Sequence, residues 1–152
     1  HSINWGGFND ITVLDVFSGT GALGLEAISR GASAGVFIDN NASSLEFVKT
    51  NAAALGEAHN VLPLKIDATQ LLQPPRSAHA PLALTFIDPP YGTNLSDQAL
   101  KALCHKGWIA FGGLVVVEIS KDDKLTLPHG LKLIDERTYG VTLIKFLQNR
   151  NN

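Results

Sequence analysis

Leu14-Asp15-Val16-Phe17-Ser18-Gly19-Thr20-Gly21-Ala22-Leu23-Gly24 runs from an apolar stretch through a glycine-rich turn into a helical pattern. Gly19, Gly21 and Gly24 satisfy G-x-G-x-x-G, a spacing that permits a tight turn and close approach of a ligand to the backbone. That spacing alone indicates a nucleotide-binding loop and does not choose the nucleotide. Asp15 narrows the choice. It stands four residues before Gly19, where a strand-tip carboxylate would repel a pyrophosphate and attract the ammonium group of S-adenosyl-L-methionine.

Outward from this loop, strand-like runs alternate with helical ones, which implies an α/β fold with a parallel sheet. Residues 11–17, 35–39, 61–67, 82–88 and 113–119 are rich in Val, Ile, Leu and Phe, as strands buried on both faces should be. Helices are expected over 21–30, with Leu23, Ala27 and Ile28 on one face, and over 42–55, with Leu45, Val48, Ala52 and Leu55. A third is expected over 96–106, with Ala99, Leu100, Leu103 and Cys104. The tail reads as two more strands, 131–137 and 141–148, joined through Thr138-Tyr139-Gly140. So short a link forces them antiparallel. The expectation is a Rossmann-like sheet of the class I methyltransferase type: seven strands, mostly parallel, with a C-terminal antiparallel hairpin whose last strand inserts beside its neighbour.

Acidic residues close several of these strands. Asp39 ends the second about twenty residues after the loop, where an acid can accept both ribose hydroxyls, or can itself be the N-cap of the helix that follows Asn40 and Asn41. Asp67-Ala68, after the third, can accept from an adenine amino group. The candidate cofactor-binding set is therefore Asp15, Phe17, Gly19, Thr20, Gly21, Asp39, Asn40, Asp67 and Ala68.

Phe86-Ile87-Asp88-Pro89-Pro90-Tyr91-Gly92, at the end of the fourth strand, separates methyl transfer from other nucleotide chemistry. Two prolines fix φ twice and remove two donors, so the turn's carbonyls are expected to face outward as unpaired acceptors. With the Asp88 carboxylate they suit a planar amine whose lone pair must turn toward an electrophilic methyl. Tyr91 offers a face on which an extruded base can stack, worth about 1–3 kcal/mol. Asp88, Pro89, Pro90 and Tyr91 are the candidate catalytic residues. Glu118, Lys121-Asp122-Asp123-Lys124, His105, Lys106 and Trp108 read as polar ends, a solvated loop and a packing anchor. Trp5 and Phe8 have no spacing that ties them to a ligand.

Composition bounds the rest. The 152 residues are 45% hydrophobic and 17% charged, as in a globular domain, and one catalytic domain over 1–152 is expected. No stretch is long and apolar enough to span a bilayer, so no membrane partner and a cytoplasmic location are expected. A single cysteine and five scattered histidines predict no metal site. The net charge of −2 does not advertise a phosphate-binding surface. A chain without methionine that opens His1-Ser2-Ile3-Asn4-Trp5 reads as a piece of a longer protein.

Asp15-Val16-Phe17-Ser18-Gly19-Thr20-Gly21-Ala22-Leu23-Gly24-Leu25-Glu26-Ala27, followed by Ser29-Arg30-Gly31-Ala32 and Asp88-Pro89-Pro90-Tyr91, resembles the RsmD-type 16S ribosomal RNA guanine-N2 methyltransferases over nearly the whole chain. The resemblance implies methylation of the N2 amine of one guanine in 16S ribosomal RNA, with the RNA or the small ribosomal subunit as partner and a monomeric enzyme. Two departures stand out. The basic, arginine-rich segment with which members begin is absent, and the second-strand acid, often glutamate in the family, is Asp39. Two other readings share parts of the pattern. An adenine-N6 DNA methyltransferase uses the same Asp-Pro-Pro-Tyr turn but needs extra chain for target recognition. An NAD-type nucleotide-binding module explains Gly19 to Gly24 and Asp39 and leaves Asp88 to Tyr91 idle.

Overall fold

Each buried strand is followed by a segment that must cross back over the sheet, and the crossings set the architecture. In a computed structural model describing residues 9–151, the chain runs β1 (Thr12–Val16), α1 (Ala22–Ser29), β2 (Ala34–Asp39), α2 (Ala42–Ala54), β3 (Val61–Lys65), β4 (Leu82–Ile87), α3 (Leu95–His105), β5 (Ile109–Ser120), β6 (Leu131–Tyr139) and β7 (Thr142–Asn149). Short 3₁₀ turns at Ala58–Asn60, Ala68–Gln70 and Arg76–Ala78 fill the connections around β3 and β4. Trp5 and Phe8 lie outside the described residues.

The seven strands form one sheet in the order β3-β2-β1-β4-β5-β7-β6. The first five are parallel neighbours, and β7 inserts antiparallel between β5 and β6. The expected seven-stranded arrangement is the observed one. The chain winds outward from β1 to β3 and then returns to β4, so the order reverses between β1 and β4. In an open α/β sheet the crevice outside the carboxyl ends of the strands at such a reversal is where ligands bind.

Two apolar layers cover the sheet. Leu14, Val16, Ile87, Val115 and Val117 face α3 and Trp108, whereas Val13, Phe37, Phe86, Val116 and Ile144 face α1 and α2. Trp108 is an anchor, as expected: it is buried and donates its Nε1–H to the Leu72 carbonyl at 2.8 Å. Phe37 explains the third glycine of the loop. A Cβ on Gly24 would stand 2.5 Å from the Phe37 ring and one on Gly35 would stand 2.7 Å away, so α1 lies on β2 only because these positions are bare.

Some expectations shift. Leu55 is the C-terminal cap of α2 and 58% exposed, leaving Leu45, Val48 and Ala52 as the buried stripe. β5 begins at Ile109, not 113, because a register irregularity opposite Leu82–Leu84 accommodates Gly112-Gly113 within one strand. The final turn is also tighter than the three residues read from the sequence. Tyr139 pairs with Thr142, and Gly140, at φ +62°, begins the two-residue link.

Candidate functional site at the carboxyl edge of the sheet

Strand register places the acidic residues. Val16 pairs with Ile38 on one side and Ile87 on the other, and Ile87 pairs with Val117. One residue further, Asp39, Phe17, Asp88 and Glu118 therefore stand abreast at the tips of β2, β1, β4 and β5. Side chains two apart share a face of the sheet. Phe37, Phe86 and Val116 all face the α1–α2 layer, so Asp39, Asp88 and Glu118 belong to that same face, with Asp15 one rung below.

The loop after β1 is built around two of these acids. Gly19 and Gly21 take φ of +54° and +83°, left-handed values that glycine adopts without penalty. Phe17 also sits at +59°, a costly conformation for a bulky residue, of the kind that collects at ligand sites. Asp39 holds the loop in place by accepting the Gly19 N–H at 2.9 Å through Oδ2 and the Asn41 N–H at 2.9 Å through Oδ1. It does not cap α2. That role falls to Asn41, whose side chain accepts from the Ser44 N–H at 3.1 Å. Asp39 is thus a half-buried carboxylate at the crevice with lone pairs remaining on each oxygen.

Asp15 differs from the picture of an open acid facing a ligand. It is 2% exposed, and its Oδ2 accepts the Gly24 N–H at 3.0 Å, tying β1 to the first turn of α1. Burial pushes its carboxyl up to about 8 against the pull of that N–H, with Asp88 and Asp39 adding to the rise. Ser18, between Phe17 and Gly19, buries a hydroxyl with no hydrogen-bond partner among the described residues.

A cavity of about 140 Å³ lies beside the loop, lined by Phe17, Ile38, Asp39, Asn40, Ile66, Asp67, Ala68, Thr69 and Leu95. Five of the nine expected cofactor residues meet there: Phe17, Asp39, Asn40, Asp67 and Ala68. Asp15, Gly19, Thr20 and Gly21 do not line it. Asp15 lies within β1, and the other three form the adjacent loop, where the exposed Thr20 offers its carbonyl to Asn51 Nδ2 at 3.1 Å. Asp67 lies past the end of β3, and its Oδ1 accepts from the Thr69 N–H and hydroxyl, which lowers its pKa. Ile66, Thr69 and Leu95 are silent in the sequence because a lining residue in a short turn or at a helix start carries no periodic signal. A larger cavity, about 700 Å³, opens between α3 and the segment 126–129, and none of the strand-tip acids lines it.

The Asp88-Pro89-Pro90-Tyr91 turn leaves β4 at the same edge. Asp88 is exposed, and Tyr91 is 47% exposed and therefore not a core residue. The expectation of free carbonyls needs one correction. Pro90 O accepts the Thr93 hydroxyl at 2.8 Å, because the chain curls back toward α3 immediately after the turn. The turn is also tethered to later strands. Tyr91 Oη and Thr142 Oγ1 are 2.7 Å apart, and Asp123 Oδ2 accepts from both the Gly92 and Ser120 N–H groups. Partial enclosure and the neighbouring Glu118 push the Asp88 carboxyl up to about 6, and burial also raises Glu118. Glu118, read as a bland strand end, joins this row of acids. Its neighbour in space is thirty positions away, and only register reveals the pairing.

Among the described residues no group of histidine, cysteine or acidic side chains is arranged to hold a metal ion, and no helix is long and apolar enough to cross a membrane.

Comparison with known proteins agrees with this geometry. The chain is 33% identical over 140 residues to the ribosomal RNA small subunit methyltransferase D of Haemophilus influenzae, covering 90% of this chain and 70% of that protein. It is 33% identical over 141 residues to the Escherichia coli K12 protein of the same name, covering 91% and 69%. A crystal structure of a methylase from Haemophilus influenzae superposes with a TM-score of 0.80 at 27% identity, covering 95% of this chain and 89% of that one. The model of the family described as conserved hypothetical protein 95 matches residues 3–148, and with these relatives it shows that the chain belongs to that family, the RsmD family.

Proposed function

We propose that this protein is an S-adenosyl-L-methionine-dependent methyltransferase acting on the N2 amine of a guanine in 16S ribosomal RNA of the small subunit. The observation that carries the reading is the strand-tip row, in which Asp39 borders the cavity beside the glycine loop and Asp88 opens the acceptor turn next to it. The residues fit the cofactor chemically. The acids gathered at one edge suit a ligand bearing an ammonium and a sulfonium, and the unpartnered Ser18 hydroxyl lies buried in the loop. When bound, the cofactor supplies an electrophilic methyl group. Asp39 accepts the ribose hydroxyls, while Asn40, Asp67 and Ala68 surround the adenine with Phe17. Gly19, Thr20, Gly21 and Asp15 shape the loop over the methionine end.

Asp88 and the Pro89 carbonyl accept the hydrogens of the target amine, and Tyr91 stacks on the extruded base. The amine must give up one proton when it accepts the methyl group, and Asp88 would be the base to receive it. Catalysis is positioning and electrostatics. The named relatives favour RNA over the DNA reading, and an NAD-type module would leave Asp88 to Tyr91 without a task.

Labelled methyl groups from S-adenosyl-L-methionine should appear in small ribosomal subunits and not in duplex DNA, and nucleoside analysis should recover N2-methylguanosine. Label in N6-methyladenosine instead would reject the proposal. Asp39→Ala should weaken S-adenosyl-L-methionine binding by about 10- to 100-fold, the worth of hydrogen bonds to a charged acceptor. Calorimetry returning the parent's dissociation constant would leave Asp39 only its loop-holding role.

A further inference from the structure

We infer that Glu118 determines which base is methylated, its carboxylate accepting the N1–H of the target guanine beside the amine held by Asp88. The inference rests on the guanine-N2 reading above and extends it to a residue that reading leaves without a task.

Asp88 and Glu118 follow a registered pair, Ile87 and Val117, on adjacent parallel strands, so their backbones stand about 4.8 Å apart at the same edge. Both follow, at a spacing of two, residues of one apolar layer, Phe86 and Val116, so both carboxyls belong to one face. Glu118 is half-buried, and it is part of what raises the Asp88 carboxyl. The tyrosine, which leaves the tip of β4, reaches across the end of β5 to β7. Thr142, which is hydrogen-bonded to the Tyr91 hydroxyl, is the registered partner of Ser120, two residues beyond Glu118 on β5. A base lying on Tyr91 would stand at the same edge of the sheet as the tips of β4 and β5.

What two adjacent carboxylates recognise follows from the edges of the bases. An ionised carboxylate only accepts hydrogen bonds. The guanine edge presents two neighbouring donors, N2–H and N1–H, and a pair of acceptors matches both. Adenine presents its N6 amine beside a bare N1 lone pair. Asp88 alone would take the adenine amine equally well, but Glu118 would then face a lone pair, a repulsion that rejects the wrong base. The Asp-Pro-Pro-Tyr turn supplies an amine acceptor, and the next strand supplies the choice of purine.

2-Aminopurine separates these contributions, because it keeps the 2-amine of guanine and replaces N1–H with a lone pair. The wild-type enzyme first locates the methylated guanosine in small-subunit RNA. The shortest RNA spanning it that the wild type still methylates is then synthesised with guanosine or 2-aminopurine riboside at that position. The wild type should prefer guanosine by at least about 100-fold in kcat/KM, as a site built to bind a donor rejects an analogue lacking it. Glu118→Gln, whose amide offers a donor as well as an acceptor, should narrow the preference to less than about 10-fold, mostly by losing guanosine turnover. Glu118→Ala should narrow it too. Intrinsic differences between the two amines cancel, because each variant is compared with the parent on the same pair of RNAs. A preference undiminished in both variants would overturn the assignment, as would a wild type indifferent to the analogue. If the wild type forms no N2-methylguanosine in any small-subunit RNA, it is the underlying guanine-N2 reading that falls.

Discussion

Asp88→Ala is expected to lower methyl transfer by at least about 10²- to 10³-fold, the usual cost of removing one preorganised polar group from a reacting centre. The dissociation constant for S-adenosyl-L-methionine should remain close to the parent's. The separation follows from placement. Asp39 and its neighbours line the cavity beside the loop, whereas Asp88 lies outside that lining, at the head of the next turn. The pH profile provides a second reading of the same residue. Partial enclosure and Glu118 raise the Asp88 carboxyl to about 6. An acid must be ionised to take a proton, so turnover should rise as pH increases through about 6 and then level off. Asp88→Asn keeps an acceptor oxygen and cannot titrate, so part of the rate should survive while Asp88's contribution to the rise near pH 6 disappears. Single-turnover rates from pH 5 to 8 test both statements. An Asp88→Ala enzyme that turns over like the parent would remove the residue from the chemistry. One that loses cofactor affinity in step with its rate would move it into the cofactor site.

Asp15→Asn should change stability in a strongly pH-dependent way. In the folded chain the Asp15 carboxyl is pushed from 3.8 to about 8, first by burial and then by Asp88 and Asp39, against the pull of the Gly24 N–H. Between those values the native state binds a proton that the unfolded chain has released. The parent's stability therefore falls as pH rises through this window, at up to about 1.4 kcal/mol per unit for one group. Asparagine keeps an oxygen to accept from Gly24 N–H and has no proton to lose. The variant's free energy of unfolding relative to the parent should therefore improve from pH 4.5 to pH 8 by several kcal/mol. The trend carries the test, because any fixed cost of burying the amide does not depend on pH. Urea denaturation across that range measures it, and a difference that stays flat would mean Asp15 is not a buried, proton-binding carboxyl. A buried acid of this kind suits the proposed site, where an approaching ammonium would draw the proton off.

Local physics makes much of this molecule legible in its sequence. Apolar runs of strand length, separated by helical periods too long for hairpins, leave little besides a parallel sheet, and the short link between the last two strands leaves them antiparallel. The glycine loop and the Asp-Pro-Pro-Tyr turn are legible for the same reason: backbone geometry that demands glycine or proline writes itself into a few consecutive residues. Boundaries are softer where glycine interrupts a pattern, as at Gly112-Gly113.

What the tertiary structure alone decided concerns residues whose partners are remote in the chain. Asn41, not Asp39, caps α2, which leaves Asp39 to hold Gly19 and face the crevice. Asp15 lies beneath the loop on the Gly24 N–H, and its burial could not be read from its position at a strand end. Pro90 O is taken by Thr93, and Tyr91 is fixed to Thr142, fifty-one residues away. Glu118 is the plainest case. Nothing around it in sequence distinguishes it from a solvated strand end, and it gains a neighbour in Asp88 only because β5 lies beside β4 in register. Periodicity reports which face a side chain takes along its own strand; pairing between strands, set by the packing of the whole sheet, reports what stands next to it.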